Sequence, residues 1–464
     1  MAARFCAAIL LRCLMESKGI LRRKKKGRNT MYCVIGIAVA VCILLILTVL
    51  TNPKIKIGKI QMNIYYWVAP LIGAILLVAL HLLDWDTLWE GLTSSQSINP
   101  LKILTLFISM TTLSIFLDEA GFFSYLAGIS LKAARTNQVK LFCILYALVS
   151  VLTIFTSNDI IILTFTPFIC YFSGKAKIDP MPYLFGEFVA ANTWSMMLII
   201  GNPTNIYLAT AADVTFGSYI MTMWLPTILA GCTTFLLLLV IFRKSLQQPI
   251  RVVEEKRRVP NRGLVVIGLF HLICCTFLLV ISSYVGLEMW LITLGFAVSL
   301  FITSTVYLWI RKKRVPIVTD TLKRAPWELI PFVLSMFVLV LGLESYRIPQ
   351  MVCTLLGEHF LIIKYGLSSF LAANVMNNIP MAVAFSSIAR NLPWSYMLPA
   401  TYASIIGSNL GAYFTPLGAL AGIMWAGILN RMGIEFSFKK YISYGVRISF
   451  PALMAALFGL YIVL

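Results

Sequence analysis

The chain has 464 residues, of which 59% are hydrophobic and only 12% charged, and its mean hydropathy is +0.88. A soluble domain carries about 25% charged residues, so a soluble globular fold is excluded and a polytopic membrane protein is implied. The net charge of +20 does not indicate nucleic-acid binding, because the basic residues sit in short loops between apolar segments, at 132–140, 243–262, 311–324 and 431–440, where cytoplasmic loops of membrane proteins carry them.

Residues 1–30 read as a basic N-terminal extension. They contain the run Arg22, Arg23, Lys24, Lys25, Lys26 and Arg28, and their apolar stretch at 5–14 is too short to span a bilayer. The basic run follows that stretch instead of preceding it, unlike a signal peptide. Met31 opens an orderly first span, which makes it a candidate natural start. The alternative is a genuine basic cytoplasmic tail.

Apolar segments then recur at 32–51, 62–83, 98–118, 183–200 and 220–241. A basic linker at 242–262 separates them from a second set at 263–283, 288–309, 327–345, 396–413 and 441–464. Between the third and fourth member of each set lies an apolar segment with polar residues at its centre. The first is VLTIFTSNDIIILTFTPFI at 151–169, and the second is FLAANVMNNIPMAVAFSSI at 370–388. Lipid offers no hydrogen bonds, so such residues belong to a re-entrant or broken helical hairpin lining a cavity. The predicted fold is all-α, with two repeats, 31–241 and 263–464, of about five spans and one hairpin each.

The halves also match locally. Asn99–Pro100, Ser109–Met110 and Asp118 recur as Ala325–Pro326, Ser335–Met336 and Glu344 at one constant spacing. Asn158 pairs with Asn378, and Asn192 and Gly201 recur as Asn409 and Gly418 at a second constant spacing. Placing Lys54–Lys59 on the cytoplasmic side puts the remaining basic loops there too. The first half then begins outside and the second inside, so the repeats are expected to be inverted, with hairpins entering from opposite faces.

The residues expected to form a binding site are Thr156, Ser157, Asn158 and Asp159 at the first hairpin tip and Asn377 and Asn378 at the second. Added to these are Asn192 and Thr193, the break at 201–205 with Gly201, Asn202, Thr204 and Asn205, and the matching Ser408, Asn409, Thr415 and Gly418. Asp159 is a candidate for binding the coupling ion or exchanging a proton, and Glu187, on the Asn192 helix, is a second candidate proton carrier. Each also has a plainer reading. Ser157 or Asn158 suits an N-cap with Asp159 in the first turn. The asparagine amides can simply hold the hairpins together, the Gly/Pro breaks can be kinks, and Glu187 can be interfacial. The ten cysteines and three histidines lack metal-ligand spacing, and no metal site or cofactor is expected. No phosphate-binding Gly-rich loop appears, so neither an enzyme nor a self-contained ATP-driven pump is expected.

The stretches TSNDIIILTFTP, MNNIPMAV, IGSNLGAYFTPLGALAGIMW and RAPWELIPFVLSMFVLVLGL resemble the ion transporter superfamily, in particular arsenite permeases and NhaD-type sodium/proton antiporters. These share a citrate-transporter-like domain, and the likeness covers nearly everything after Met31. It implies a scaffold part and a moving transport part, hairpin tips meeting at a central site, elevator-type alternating access and a homodimer. One departure stands out: where arsenite permeases carry aspartates, this chain has Asn192 and Asn409. Two carboxylates fewer leave room for an anionic or neutral substrate. The expected function is secondary transport of a small ion across a prokaryotic cytoplasmic membrane, coupled to Na+ or H+. A di- or tricarboxylate or sulfate symporter is the alternative within that class. A passive channel, or the membrane subunit of a pump driven by a soluble ATPase, is the alternative outside it.

Overall fold

The computed structural model describes residues 25–51, 54–57, 60–63, 66–93, 99–134, 137–248, 261–312, 316–434 and 437–464. In chain order these form α1 (Lys25–Thr51), a two-stranded antiparallel hairpin β1 (Lys54–Ile57) and β2 (Ile60–Asn63), then α2 (Val68–Ala79), α3 (Trp85–Thr93), α4 (Pro100–Glu119) and α5 (Phe122–Ala134). Next come α6 (Gln138–Phe155), α7 (Asn158–Ala176), α8 (Met181–Trp194), two 3-10 turns, α9 (Pro203–Ala211), α10 (Phe216–Ile241) and the short α11 (Arg243–Leu246). The second half contains α12 (Arg262–Val285), α13 (Met289–Ile310), α14 (Ile317–Arg324), α15 (Leu329–Ser345), α16 (Ile348–Leu356), α17 (Leu361–Met376) and α18 (Asn378–Ala389). It closes with α19 (Trp394–Gly411), α20 (Leu420–Arg431) and α21 (Phe438–Val463).

Among the described residues, nine helical stretches are long and apolar enough to cross a membrane. The all-α reading holds apart from the β-hairpin, which takes the start of the span expected at 62–83 and leaves only Val68–Ala79 helical there. The expected span 183–200 is also divided: its helix stops at Trp194, and 3-10 turns follow. Residues 1–24 of the N-terminal extension, with the first part of its basic run, and most of the expected linker at 242–262 lie outside the described residues. Helices α3, α5, α9, α14, α16 and α20 have no counterpart in the expected spans, being too short to register in a spanning-length window.

From α4 to α10 the order of elements is repeated by α15 to α21: a long helix, a short helix, two helices separated by a break, a buried helix, a short helix and a closing helix of 26 residues in both halves. The packing is reciprocal as well. The first half's α9 rests on α18 of the second hairpin, and the second half's α20 rests on α7 of the first. Likewise α2 lies against α15, while α13 lies against α4.

Local chemistry sets the helix starts. Asn99 caps α4 by accepting from the amides of Leu101 (2.9 Å) and Lys102 (3.2 Å), with Pro100 in the first turn. Both ends of α4 are paired: Lys102 meets Glu288 at 2.5 Å, while Arg324 reaches Asp118 at 2.7 Å and Glu119 at 2.5 Å. Two helices occupy the centre. Residues Met181 to Thr193 of α8 and Ala400 to Gly411 of α19 are buried on every face. A helix with no exposed face has to be central, and both of these carry polar residues into the interior. At the periphery, α12 and α13 turn Val266, Phe270, Ile273, Phe277, Ile302 and Trp309 outward, as lipid-facing helices do.

Candidate functional site

Both expected hairpin breaks are present. In the first, α6 ends at Phe155 and α7 begins at Asn158, with Thr156 and Ser157 extended between them. Ser157 occupies the N-cap position, but its hydroxyl makes no cap hydrogen bond and is buried without a partner. The expected N-cap interaction is therefore absent. Thr156 instead donates back to the Leu152 carbonyl at 2.8 Å. The Asn158 amide donates to Asn192 Oδ1 on α8 at 3.1 Å, while its own Oδ1 is buried and unpaired. In the second break Asn377 adopts φ +74°, bridges the gap, accepts from the Ile379 amide at 3.4 Å and donates to the Leu417 carbonyl at 3.2 Å. The following Asn378 keeps an unpaired, buried Oδ1.

Between the tips lies an asparagine network crossing the two halves. Asn409 Oδ1 on α19 accepts from Ser195 Oγ and Asn202 Nδ2, both at 3.0 Å. Its Nδ2 donates to Asn205 Oδ1 at 2.7 Å and to the Ile405 carbonyl at 2.8 Å. Asn202 caps α9 by accepting from the Thr204 amide and hydroxyl at 3.1 Å each, and Pro203 fits the first turn. The Gly-Asn-Pro-Thr sequence is thus a helix start in the protein interior. Gly201 makes room for it: a Cβ there would lie 2.2 Å from the Ser195 carbonyl oxygen.

Beside the second tip, Asn374 Oδ1 accepts from the Thr415 amide (3.0 Å) and hydroxyl (2.7 Å), and its Nδ2 donates to the Gly411 carbonyl at 3.0 Å. Gly418 packs against this group, where a Cβ would come within 2.3 Å of the Gly411 carbonyl oxygen. Ser408 is fully buried with an unpaired hydroxyl.

The structure therefore joins Asn158 with Asn192 and, through Ser195 on the Asn192 carbonyl, with Asn409, Asn202 and Thr204, whereas Asn377 is bonded to Leu417 and Thr415 to Asn374. Thr193 stands apart, with its hydroxyl on Tyr413 at 3.1 Å. Asp159 lies in the first turn of α7, partly exposed, and among the described residues its carboxylate has no hydrogen-bond or ion-pair partner. Glu187 is buried, and the Thr166 hydroxyl approaches its two oxygens at 3.1 and 3.3 Å.

Sequence reading missed Ser195 and Asn374, while Asn205 belongs to the break expected at 201–205. Ser195 lies in the 3-10 turn just after α8, three residues beyond Asn192, and Asn374 lies in the last turn of α17, just before the break at Asn377. No Lys or Arg among the described residues hydrogen-bonds into the network. The site is built from amides and hydroxyls, which can both donate and accept.

Residues 37–397 match the family model described as citrate transporter. The chain is 25% identical to an arsenical pump membrane protein of Escherichia coli over 442 residues, covering 91% of this chain and 98% of that protein. It is 27% identical to a putative arsenical pump membrane protein of Bacillus subtilis over 364 residues, covering 71% of this chain and 80% of that one. The fold is similar to that of the YdaH transporter of Alcanivorax borkumensis, with a TM-score of 0.56 at 14% identity, covering 93% of this chain and 98% of that chain.

Proposed function

The chain belongs to the citrate transporter family, and we propose that it is a secondary transporter that moves a small oxygen-rich solute across a prokaryotic cytoplasmic membrane. The carrying observation is the set of buried, unpartnered oxygens at the two breaks, Ser157 Oγ, Asn158 Oδ1 and Asn378 Oδ1, together with Ser408 Oγ next to Asn409 of the network. Buried polar atoms are normally paired, and in this reading the cargo supplies the missing partner. Two of these residues, Asn158 and Asn378, open α7 and α18, and the first-turn N–H groups of α7 add donors.

The absence of cationic side chains from the network favours a neutral hydroxylated solute, such as undissociated arsenious acid, over a multiply charged carboxylate. The names of the arsenical-pump relatives agree with this choice. A di- or tricarboxylate or sulfate symporter is the second reading, favoured by the description of the matching family. Asp159, which has no partner among the described residues, takes the coupling Na+ or H+, with Glu187 as a further proton carrier.

The domains run 31–241 and 263–464 as inverted repeats joined by a cytoplasmic linker at 242–262. The reciprocal packing of α9 on α18 and α20 on α7 supports that pseudo-twofold relation. Transport is by an elevator-type movement within a homodimer. Flux in proteoliposomes tests the proposal. Purified protein should accumulate arsenite, or in the second reading citrate, against its gradient when a Na+ or H+ gradient is imposed. Activity only with a soluble ATPase, or flux that never exceeds equilibrium, would replace the carrier with a pump subunit or a channel. Asp159→Asn should abolish coupled accumulation. Unimpaired coupling in that variant would remove Asp159 from the mechanism.

A further inference from the structure

Helix α21 begins with a basic cluster that the transport site does not use. Ser437, Lys439, Lys440, Ser443, Tyr444 and Arg447 line a surface crevice of about 320 Å³. Among the described residues no carboxylate lines it, and none of the three cations is ion-paired. Arg447 is nonetheless held in place. Its Nε donates to the Ser443 carbonyl at 2.7 Å, Nη2 donates to Ser443 Oγ at 3.1 Å, and the guanidinium lies 5.2 Å from the Tyr444 ring centre.

The setting of this cluster identifies its ligand. Arg447 lies nine residues into α21, roughly 14 Å along the axis. Its guanidinium bends back one turn towards the basic start of the helix, as a snorkelling arginine does. It shares a helix face with Val446, Phe450, Met454, Phe458 and Tyr461, all exposed apolar residues that face lipid. A pre-positioned guanidinium with two ammonium groups, beside an exposed apolar face and without a carboxylate partner among the described residues, suits an anion that arrives from the bilayer.

We infer that this crevice binds the phosphate headgroup of an anionic phospholipid, with its acyl chains along the Val446–Tyr461 face. Guanidinium and ammonium donors match phosphate oxygens, and each basic residue near an anionic surface contributes about fivefold to binding. The test uses the full chain in nanodiscs of equimolar phosphatidylglycerol and phosphatidylcholine, with retained lipid measured after extraction into mild detergent. The wild-type protein should retain several-fold more phosphatidylglycerol. Arg447→Gln should reduce that enrichment about fivefold and Lys439→Gln/Lys440→Gln should also reduce it, whereas Arg447→Lys should keep most of it, separating loss of charge from misfolding. Equal retention of both lipids, or enrichment unaffected by the Gln variants, overturns the inference. Displacement of the lipid by millimolar inorganic phosphate would assign the crevice to a soluble anion instead. A change in monomer–dimer ratio with unchanged lipid enrichment would assign it to a second copy of the chain.

Discussion

Asn192 and Asn409 are matched in sequence, each on a fully buried helix that follows a hairpin, yet the fold uses them differently. Asn192 stays within its own half, accepting from Asn158 at the first tip and donating to the Phe188 carbonyl at 2.8 Å. Asn409 crosses between halves, and all its side-chain hydrogen-bonding capacity is taken up by Ser195, Asn202, Asn205 and Ile405. The tips differ in the same way. The first is loosely held, with Ser157 unbonded and a single side-chain link from Asn158. The second is fastened through Asn377 to Leu417 and flanked by the Asn374–Thr415 pair. A repeated sequence has thus produced two differently held breaks, while unpaired oxygens remain in both halves, on Ser157 and Asn158 in the first and on Asn378 and Ser408 in the second.

The largest effect should come from the backbone packing that supports the cross-link. Gly201→Ala places a methyl 2.2 Å from the Ser195 carbonyl oxygen, and main chain has to move. We expect a loss of about 3 kcal/mol or failure to fold, read as a collapse of the detergent-solubilised melting temperature. Retention of wild-type stability would mean that the Asn202 break is plastic.

Asn409→Ala should follow, since it leaves Ser195, Asn202 and Asn205 buried without their partner. A cost of about 2–3 kcal/mol is expected, together with loss of transport. Asn192→Ala, with a single side-chain partner outside its own helix, should cost about 1 kcal/mol. Equal losses for the two would erase the distinction between the matched asparagines.

Ser157→Ala reverses the pattern. Its hydroxyl has no partner to lose, so stability should change by less than about 0.5 kcal/mol. Substrate affinity should nevertheless fall roughly fivefold to tenfold, the worth of one hydrogen bond to cargo. A thermal-shift titration of wild type and variant reads both quantities, and unchanged affinity would remove Ser157 from the site.

The smallest effect is at the surface pair joining α4 to α13. Hydrogen bonds from Lys102 and then from the Trp290 indole hold the Glu288 carboxyl below its ordinary pKa of 4.5. A depressed carboxyl contributes stability above the unfolded pKa and loses it as pH falls through the folded value, so the contribution is intact at pH 7 and fades below about pH 4.5. Because the pair is exposed, Glu288→Gln should shift the melting temperature at pH 7 by no more than a degree or two, and less in high salt. A large shift would make this contact a structural lock.

The sequence by itself determined the membrane class, most long helices, the two breaks at 156–157 and 377 and most members of the buried amide network around them. Each of these follows from local chemistry. Spanning helices need long apolar runs, and a polar cluster such as Thr156–Asp159 or Asn377–Asn378 interrupts such a run wherever the pairing is made. Tertiary structure decided the β-hairpin at 54–63, the short helices and the choice of partners. Asn409 was legible as the equivalent of Asn192, but nothing within its helix could indicate that its amide meets Ser195, Asn202 and Asn205 from the other half. Hydrogen bonding between distant segments depends on which buried helices cross. That crossing is set by packing, and it left Ser157, Asn158, Asn378 and Ser408 unpaired while their neighbours found protein partners.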